Sequence, residues 1–288
     1  MTLLFGHRPF DFPDLFQMIM KGEIDFSNLN YINPMTKSID AGFTHIEVTG
    51  DLPYALPMIL SRDEINKMVE LKKEKNLTFS VHLPLWAMEP AAFSQHIREG
   101  SIKSFVECIE LTKILDPICW VIHPTGSLTV EFIHMGLPEI AQEFLLQQFQ
   151  TSASRAISQM IEQTNIPSRK IAVENIEFPF EMMEETIEDL DLSICFDTGH
   201  LLAGYSGEIK TMEFVEKYFD RIIELHLHDG AYPNIDHKPL GKHELPVKKL
   251  LSFLDENKFS GPLVYELILE EAIESMKYIE KILPEVIK

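Results

Sequence analysis

The sequence predicts a single-domain (β/α)8 TIM barrel spanning residues 1–288. Short, near-continuous apolar runs rich in β-branched residues recur eight times, each followed by a polar or Gly/Pro turn and a longer amphipathic segment. Runs of that kind are strands buried on both faces of a parallel sheet. No linker or compositional break divides the chain, so one repeating unit accounts for a length normal in α/β barrels. The rival, an open doubly wound sheet, ordinarily carries a Gly-rich phosphate turn. Neither GxGxxG nor GxxxxGK followed by Ser or Thr occurs.

In chain order the strands read as Thr2 to Gly6, His45 to Gly50, Thr78 to Leu85 and Cys119 to Pro124. Lys170 to Asn175, Leu192 to Phe196, Ile222 to Asp229 and Leu263 to Ile268 follow. Between them Ser61-Arg-Asp-Glu64 gives a capping-box start to a helix that runs to Lys75 and stops before Asn76. Apolar positions at three- and four-residue spacing predict further helices near 99–115, 139–165, 208–220, 246–257 and 270–284. Gly6 to Asn30 is too irregular for these patterns and its role stays unread, a loop over the barrel mouth being one option.

With 25 Lys+Arg against 45 Asp+Glu, the formal charge is −20. Such a field repels phosphate backbones and anionic lipid, which argues against nucleic acid and membrane partners. The three cysteines, Cys108, Cys119 and Cys195, sit in apolar segments without CxxC spacing, as in a reducing compartment. The first residues lack the pattern of a signal peptide, and no apolar run approaches the roughly 18 residues of a membrane span. A soluble, cytoplasmic protein is expected.

The chemistry concentrates at strand ends. Leu192 to Phe196 terminates in Asp197, and Gly199 lets the chain turn before His200. A strand-terminal Asp capping the next helix beside a hydrogen-bonded His explains that stretch equally well by itself. However, His82, His123, Glu174, His226 and Glu266 each fall at or near the C-terminal end of another strand, and in a barrel those ends converge. Three carboxylates buried together call for cations. Glu174, Asp197, His226 and Glu266 form an oxygen-rich set suited to Mn, Mg, Co or Zn. His82 and His123 add nitrogen donors and tilt the set toward zinc or iron, and toward more than one ion.

Arg8 near the mouth suits a phosphate or carboxylate, Glu47 ends its strand where substrate could lie, and Lys238 and Lys242 flank the loop of His237. Trp86 follows the third strand and is a stacking candidate. His228 is read as turned away from His226, and Asp229 as a hydrogen-bond partner for an imidazole.

Motif by motif, the chain resembles the xylose-isomerase-like barrel superfamily, which includes endonuclease IV and the sugar isomerases and epimerases. The carrying residues are Val81-His82-Leu-Pro, Ile122-His123-Pro-Thr-Gly-Ser127, Val173-Glu174-Asn175, Phe196-Asp197-Thr-Gly-His200, Leu225-His226-Leu-His-Asp229, His237-Lys-Pro-Leu-Gly241 and Tyr265-Glu266. The resemblance implies a central ion on Glu174, Asp197, His226 and Glu266, and a second on His82 and His123 with Glu174 bridging. It also implies that His200 and His237 contribute to a third. There the chain departs: the family's aspartate stands two residues before the loop histidine, where this sequence has Ile235, leaving Asp236 or Asp229 to substitute. Two ions, with zinc favoured over Mn, Fe, Co or Mg, are therefore expected.

Two reactions fit. Paired ions serve a phosphoesterase acting on a small phosphate-containing substrate. A single ion, with Glu174 and Glu266 shuttling a proton at carbon and His200 binding substrate, serves a sugar isomerase or epimerase. The first is preferred because a one-ion isomerase has no use for His82 and His123. Cleavage of abasic-site DNA is disfavoured by the acidic charge and the lack of a basic stripe.

Overall fold

Eight parallel strands close on themselves in the computed structural model, which describes residues 3–10, 12–22, 29–176 and 179–287. They are β1 (Leu4–His7), β2 (His45–Thr49), β3 (Thr78–His82), β4 (Trp120–Ile122), β5 (Ile171–Glu174), β6 (Ser193–Asp197) and β7 (Ile222–His226), completed by β10 (Pro262–Tyr265). A two-stranded antiparallel hairpin, β8 (Asp229–Ala231) and β9 (Ile235–Lys238), interrupts the last repeat. The chain is thus a (β/α)8 TIM barrel. Register sets Glu174 beside Cys195 and Asp197 beside His226, which brings ligand-type side chains of neighbouring strands to one height.

Local signals act as the sequence indicates. Ser61 caps the helix Arg62–Lys75, its hydroxyl accepting from Glu64 N at 3.3 Å, and Asn76 ends it in the left-handed region at φ 54°. Helices Gln95–Thr112, Glu139–Thr164, Thr211–Tyr218, Val247–Glu256 and Leu269–Ile282 occupy the other periodic segments. The main apolar core lies between the barrel wall and these helices. A second, small cluster of Cys119, Val121, Ala172 and Cys195 packs separately from it, on residues of β5, β6 and the β4 region. All three cysteines are free and buried.

Three expectations need correction. Much of 6–30 is ordered structure, not a loop: β1 extends to His7 and a helix covers Phe12–Lys21, while residues 1–2, 11 and 23–28 lie outside the described residues. The seventh strand stops at His226, because Asp229 already belongs to the hairpin. The third and eighth strands likewise end at His82 and Tyr265, short of Leu85 and Ile268. Among the described residues no helix is long and apolar enough to cross a membrane.

Candidate metal centre

A cavity of about 210 Å³ opens at the C-terminal mouth of the barrel. Arg8, His82, His123, Glu174, His200, His237 and Glu266 line its polar side, and Trp86, half-exposed, stands at its edge. Asp51 holds that edge in place, its Oδ1 accepting from the amides of Leu85 and Trp86 at 2.9 Å each.

Glu174 organises the interior. Its Oε2 lies 3.2 Å from His82 Nε2 and 2.9 Å from His123 Nε2. Its Oε1 lies 3.3 Å from His226 Nδ1 and 3.1 Å from His200 Nδ1, and has no hydrogen-bond partner among the described residues. One carboxylate thus turns its two oxygens toward two donor sets. His226 Nδ1 also faces Glu266 Oε1 at 3.4 Å and Asp197 Oδ2 at 3.5 Å. Glu174, Asp197, His226 and Glu266 together form one group able to hold a cation, and His82, His123 and Glu174 another.

The tautomers the hydrogen bonds impose fit a metal. His82 donates Nδ1–H to Leu83 O at 2.9 Å, and His226 donates Nε2–H to Glu47 Oε2 at 3.1 Å. Each neutral ring is left with a lone pair aimed at a carboxylate oxygen, two acceptors face to face. A divalent cation between them would remove the conflict, with the hydrogen bond on the ring's other nitrogen fixing its orientation. Without one, protons must serve. Burial opposes charge on His200, but Asp197 and Glu174 outweigh it and raise its pKa to about 9. Burial alone would raise Glu174, yet His123 and His226 hold it well below the usual carboxylate range. Glu266 is held well down against burial by Arg8, which is ion-paired with it, and by His226.

Asp197 satisfies both readings of its motif. Its Oδ1 caps the helix Thr198–Ala203 by accepting from His200 N at 2.7 Å, while Oδ2 faces the centre. Asn175 pins the same residue: its Oδ1 accepts from Asp197 N at 2.7 Å and its Nδ2 donates to Asp197 O at 2.9 Å. Gly199 has no positive φ and is needed for space instead. A Cβ there would stand 2.1 Å from Asp236 Oδ1 and 2.2 Å from His228 Nδ1.

Asp236 takes up the place that the sequence leaves short of an acid. Its Oδ2 lies 2.9 Å from His237 Nδ1 and 3.3 Å from His200 Nε2. Adjacent residues of a regular strand point to opposite faces. Here β9 carries one residue more than β8 between the pairs Ala231–Ile235 and Asp229–Lys238, and His237 adopts φ 50°, so Asp236 and His237 reach the same side. His228 belongs to this neighbourhood, contrary to expectation. It is fully buried, with Nε2 donating to Asp197 Oδ2 at 3.0 Å and Nδ1 3.3 Å from Asp236 Oδ1. Residues two apart share a face in a strand, and that parity was the available signal.

Other candidates lie elsewhere. Glu47 is fully buried in mid-strand and serves His226, so it does not line the cavity. Lys238 is exposed on β9 and Lys242 pairs with Glu274 at 2.6 Å; neither lines the cavity. Asp229 accepts from the amides of Lys242, His243 and Leu245 and so shapes the chain after the hairpin, with no imidazole among its hydrogen-bond partners here. Glu224 escaped the sequence reading. It is fully buried below the centre, accepts from Ser80 Oγ and Cys119 Sγ at 2.9 Å each, and is raised well above the usual range by burial and by Glu47. Its position two residues before His226, on the same face, marks it.

A parallel barrel with carboxylates and imidazoles gathered at its C-terminal mouth defines a class, and comparison supplies the family. Residues 36–282 match the xylose isomerase-like TIM barrel family, and the chain belongs to it. An uncharacterized protein of Methanocaldococcus jannaschii, MJ1311, is 25% identical over 238 residues, covering 78% of this chain and 76% of that one. Among solved structures, a D-tagatose 3-epimerase-like protein superposes with TM-score 0.72 at 23% identity, over 88% of this chain and 93% of its own. Endonuclease IV from Thermus thermophilus superposes with TM-score 0.66 at 17% identity, over 89% of this chain and 97% of its own. At those identities the likenesses establish the fold.

Proposed function

We propose that the chain is a divalent-metal-dependent hydrolase of phosphoric esters, acting on a small phosphate-containing substrate at the barrel mouth. The observation that carries this reading is the divided role of Glu174, with Oε2 facing His82 and His123 and Oε1 facing His226. Such a carboxylate suits two adjacent ions, one on His82, His123 and Glu174 and one on Glu174, Asp197, His226 and Glu266. Bound there, zinc-class ions would supply Lewis acidity toward a phosphoryl oxygen and toward water.

The chain's own groups then have distinct tasks. Arg8 is already on a carboxylate, that of Glu266, and its fork can exchange that oxygen for a phosphoryl oxygen. Glu266, held ionised by Arg8 and His226, would hold the central ion and orient the attacking water by accepting its hydrogen bond. His200, against Glu174 Oε1, keeps the bridging carboxylate in its pose. A net charge of −20 and a cavity of about 210 Å³ favour a compact substrate over a polynucleotide.

The test is metal content and turnover of a chromogenic phosphodiester. His123→Ala should lose one ion per chain and most activity, and Glu266→Gln should lower kcat about 100-fold or more. Unchanged metal content in His123→Ala would overturn the reading. One feature favours a second reading, a one-ion sugar isomerase or epimerase: Glu174, the last residue of β5, and Glu266, just after β10, flank His226 Nδ1 as a pair of proton shuttles would. Keto-sugar conversion that survives His82→Ala but not Glu266→Gln would establish it.

A further inference from the structure

We infer that the substrate carries an ammonium group beside its phosphoryl group, and that Asp51 and Trp86 at the cavity edge receive it, a site that rests on the hydrolytic reading for its phosphoryl end alone. The substrate class is then a compact phosphoric ester of an amino alcohol.

Asp51 follows β2 and is only 3% exposed, yet it lines the cavity. Its two oxygens differ in what they do. Oδ1 accepts from Leu85 N and Trp86 N at 2.9 Å each, which staples the turn after β2 to the turn after β3. Gly50 N, donating to His82 O at 2.8 Å, holds the same two turns together. Oδ2 has no hydrogen-bond partner among the described residues. A staple needs one oxygen and no charge, so an asparagine would serve it equally. The charge calls for another reason, because a buried carboxylate is costly unless it is paired.

The protein does not supply the pairing cation. Arg8 is the one Lys or Arg lining the cavity among the described residues, and it is ion-paired with Glu266. Burial accordingly pushes the Asp51 carboxyl up, against the Trp86 amide and the charge of His82. Asp51 stands outside both donor sets assigned to the paired ions, and its partners are two amide N–H groups and not further ligand atoms, which favours an organic cation over a metal. An ammonium N–H on Oδ2 makes a charge-assisted hydrogen bond, roughly twice as strong as a neutral one. Trp86, whose amide Asp51 holds, is half-exposed at the cavity edge and offers the aromatic surface on which such a cation is further stabilised. A zwitterion, neutral overall, also escapes the repulsion that a bare phosphate meets from a net charge of −20.

The test uses the zinc-loaded full chain and three matched ligands: phosphorylethanolamine, propyl phosphate and 2-hydroxyethyl phosphate. Calorimetry measures their binding, and turnover is measured on the nitrophenyl diesters of the same three alcohols. The wild type should favour the ammonium ligand on the order of 10- to 100-fold over the other two. Asp51→Asn, which keeps an oxygen for both amides, should bring that ratio close to one, and Trp86→Leu should lower it about 2- to 5-fold. Circular dichroism checks folding, and Trp86→Leu decides if Asp51→Asn does not fold. Equal wild-type affinity for the three ligands, a hydroxyl ligand that matches the ammonium one, or an unchanged ratio in the folded variants overturns the site. Preferential binding of the ammonium ligand with no cleavage of any diester leaves the site standing and sinks the hydrolytic reading. Cleavage of all three diesters at equal rates does the reverse.

Discussion

Replacing Asn175 by alanine should destabilise the chain by about 3 kcal/mol, and the figure follows from three hydrogen bonds. The side chain accepts from Asp197 N at 2.7 Å and donates to Asp197 O at 2.9 Å and to Ser206 Oγ at 3.1 Å, with all three residues fully buried. Truncation leaves the Asp197 N–H without its acceptor, which costs about 1–3 kcal/mol for an orphaned buried donor. The Asp197 carbonyl loses a further bond worth about 0.5–1.5 kcal/mol. Ser206 adds little, because its hydroxyl still donates to the Asn175 carbonyl at 2.8 Å. Urea unfolding of the metal-free variant against wild type is the assay. Asn175→Asp should be no milder, since it keeps one acceptor, loses both donors and sets a carboxylate against the Asp197 carbonyl. A loss below about 1 kcal/mol in Asn175→Ala would refute the claim that this side chain pins Asp197.

Glu47→Gln keeps an oxygen for His226 Nε2–H but removes the charge behind it, so the ion on His226 should bind on the order of 10- to 100-fold more weakly. Chelator competition measures this, and an unchanged affinity would remove Glu47 from the support of the centre. His45 gives a pH dependence. Buried between the hydroxyls of Thr78 and Ser80, it is lowered to about 3 by burial. Its folded pKa lies below the ordinary value near 6.5, so its contribution is fully present above about pH 6.5 and fades as pH falls toward 3. Between pH 7 and 5 the loss from this group is about 2 kcal/mol, and metal-free His45→Gln should show a correspondingly shallower fall in stability. Equal pH slopes in the two proteins would contradict it.

The barrel and most of the candidate centre are legible because buried parallel strands read as apolar runs, and a polar residue interrupting such a run stands out. His82, His123, Glu174, Asp197, His226 and Glu266 were visible for that reason, and all come together at one mouth. What escaped depends on local backbone geometry. The pairing of Asp236 with His237 needs a bulge and a left-handed histidine, which no spacing rule announces. His228 and Glu224 could have been found by counting in twos from His226, since all three share a face. Glu47 was singled out as a substrate contact, but a position two residues short of the strand end lies one layer deeper, where it meets His226 from below. Gly199 had the right location and a different reason: room for Asp236 and His228 instead of a turn.

The most direct test of the central claim is an anomalous-scattering map from crystals of the zinc-loaded chain. Two peaks about 3.5–4 Å apart are expected on either side of Glu174, one against His82 and His123 and one against His226, Asp197 and Glu266. A single peak in the His226 set, with nothing between His82 and His123, would contradict the bridging role of Glu174 and the hydrolase built on it.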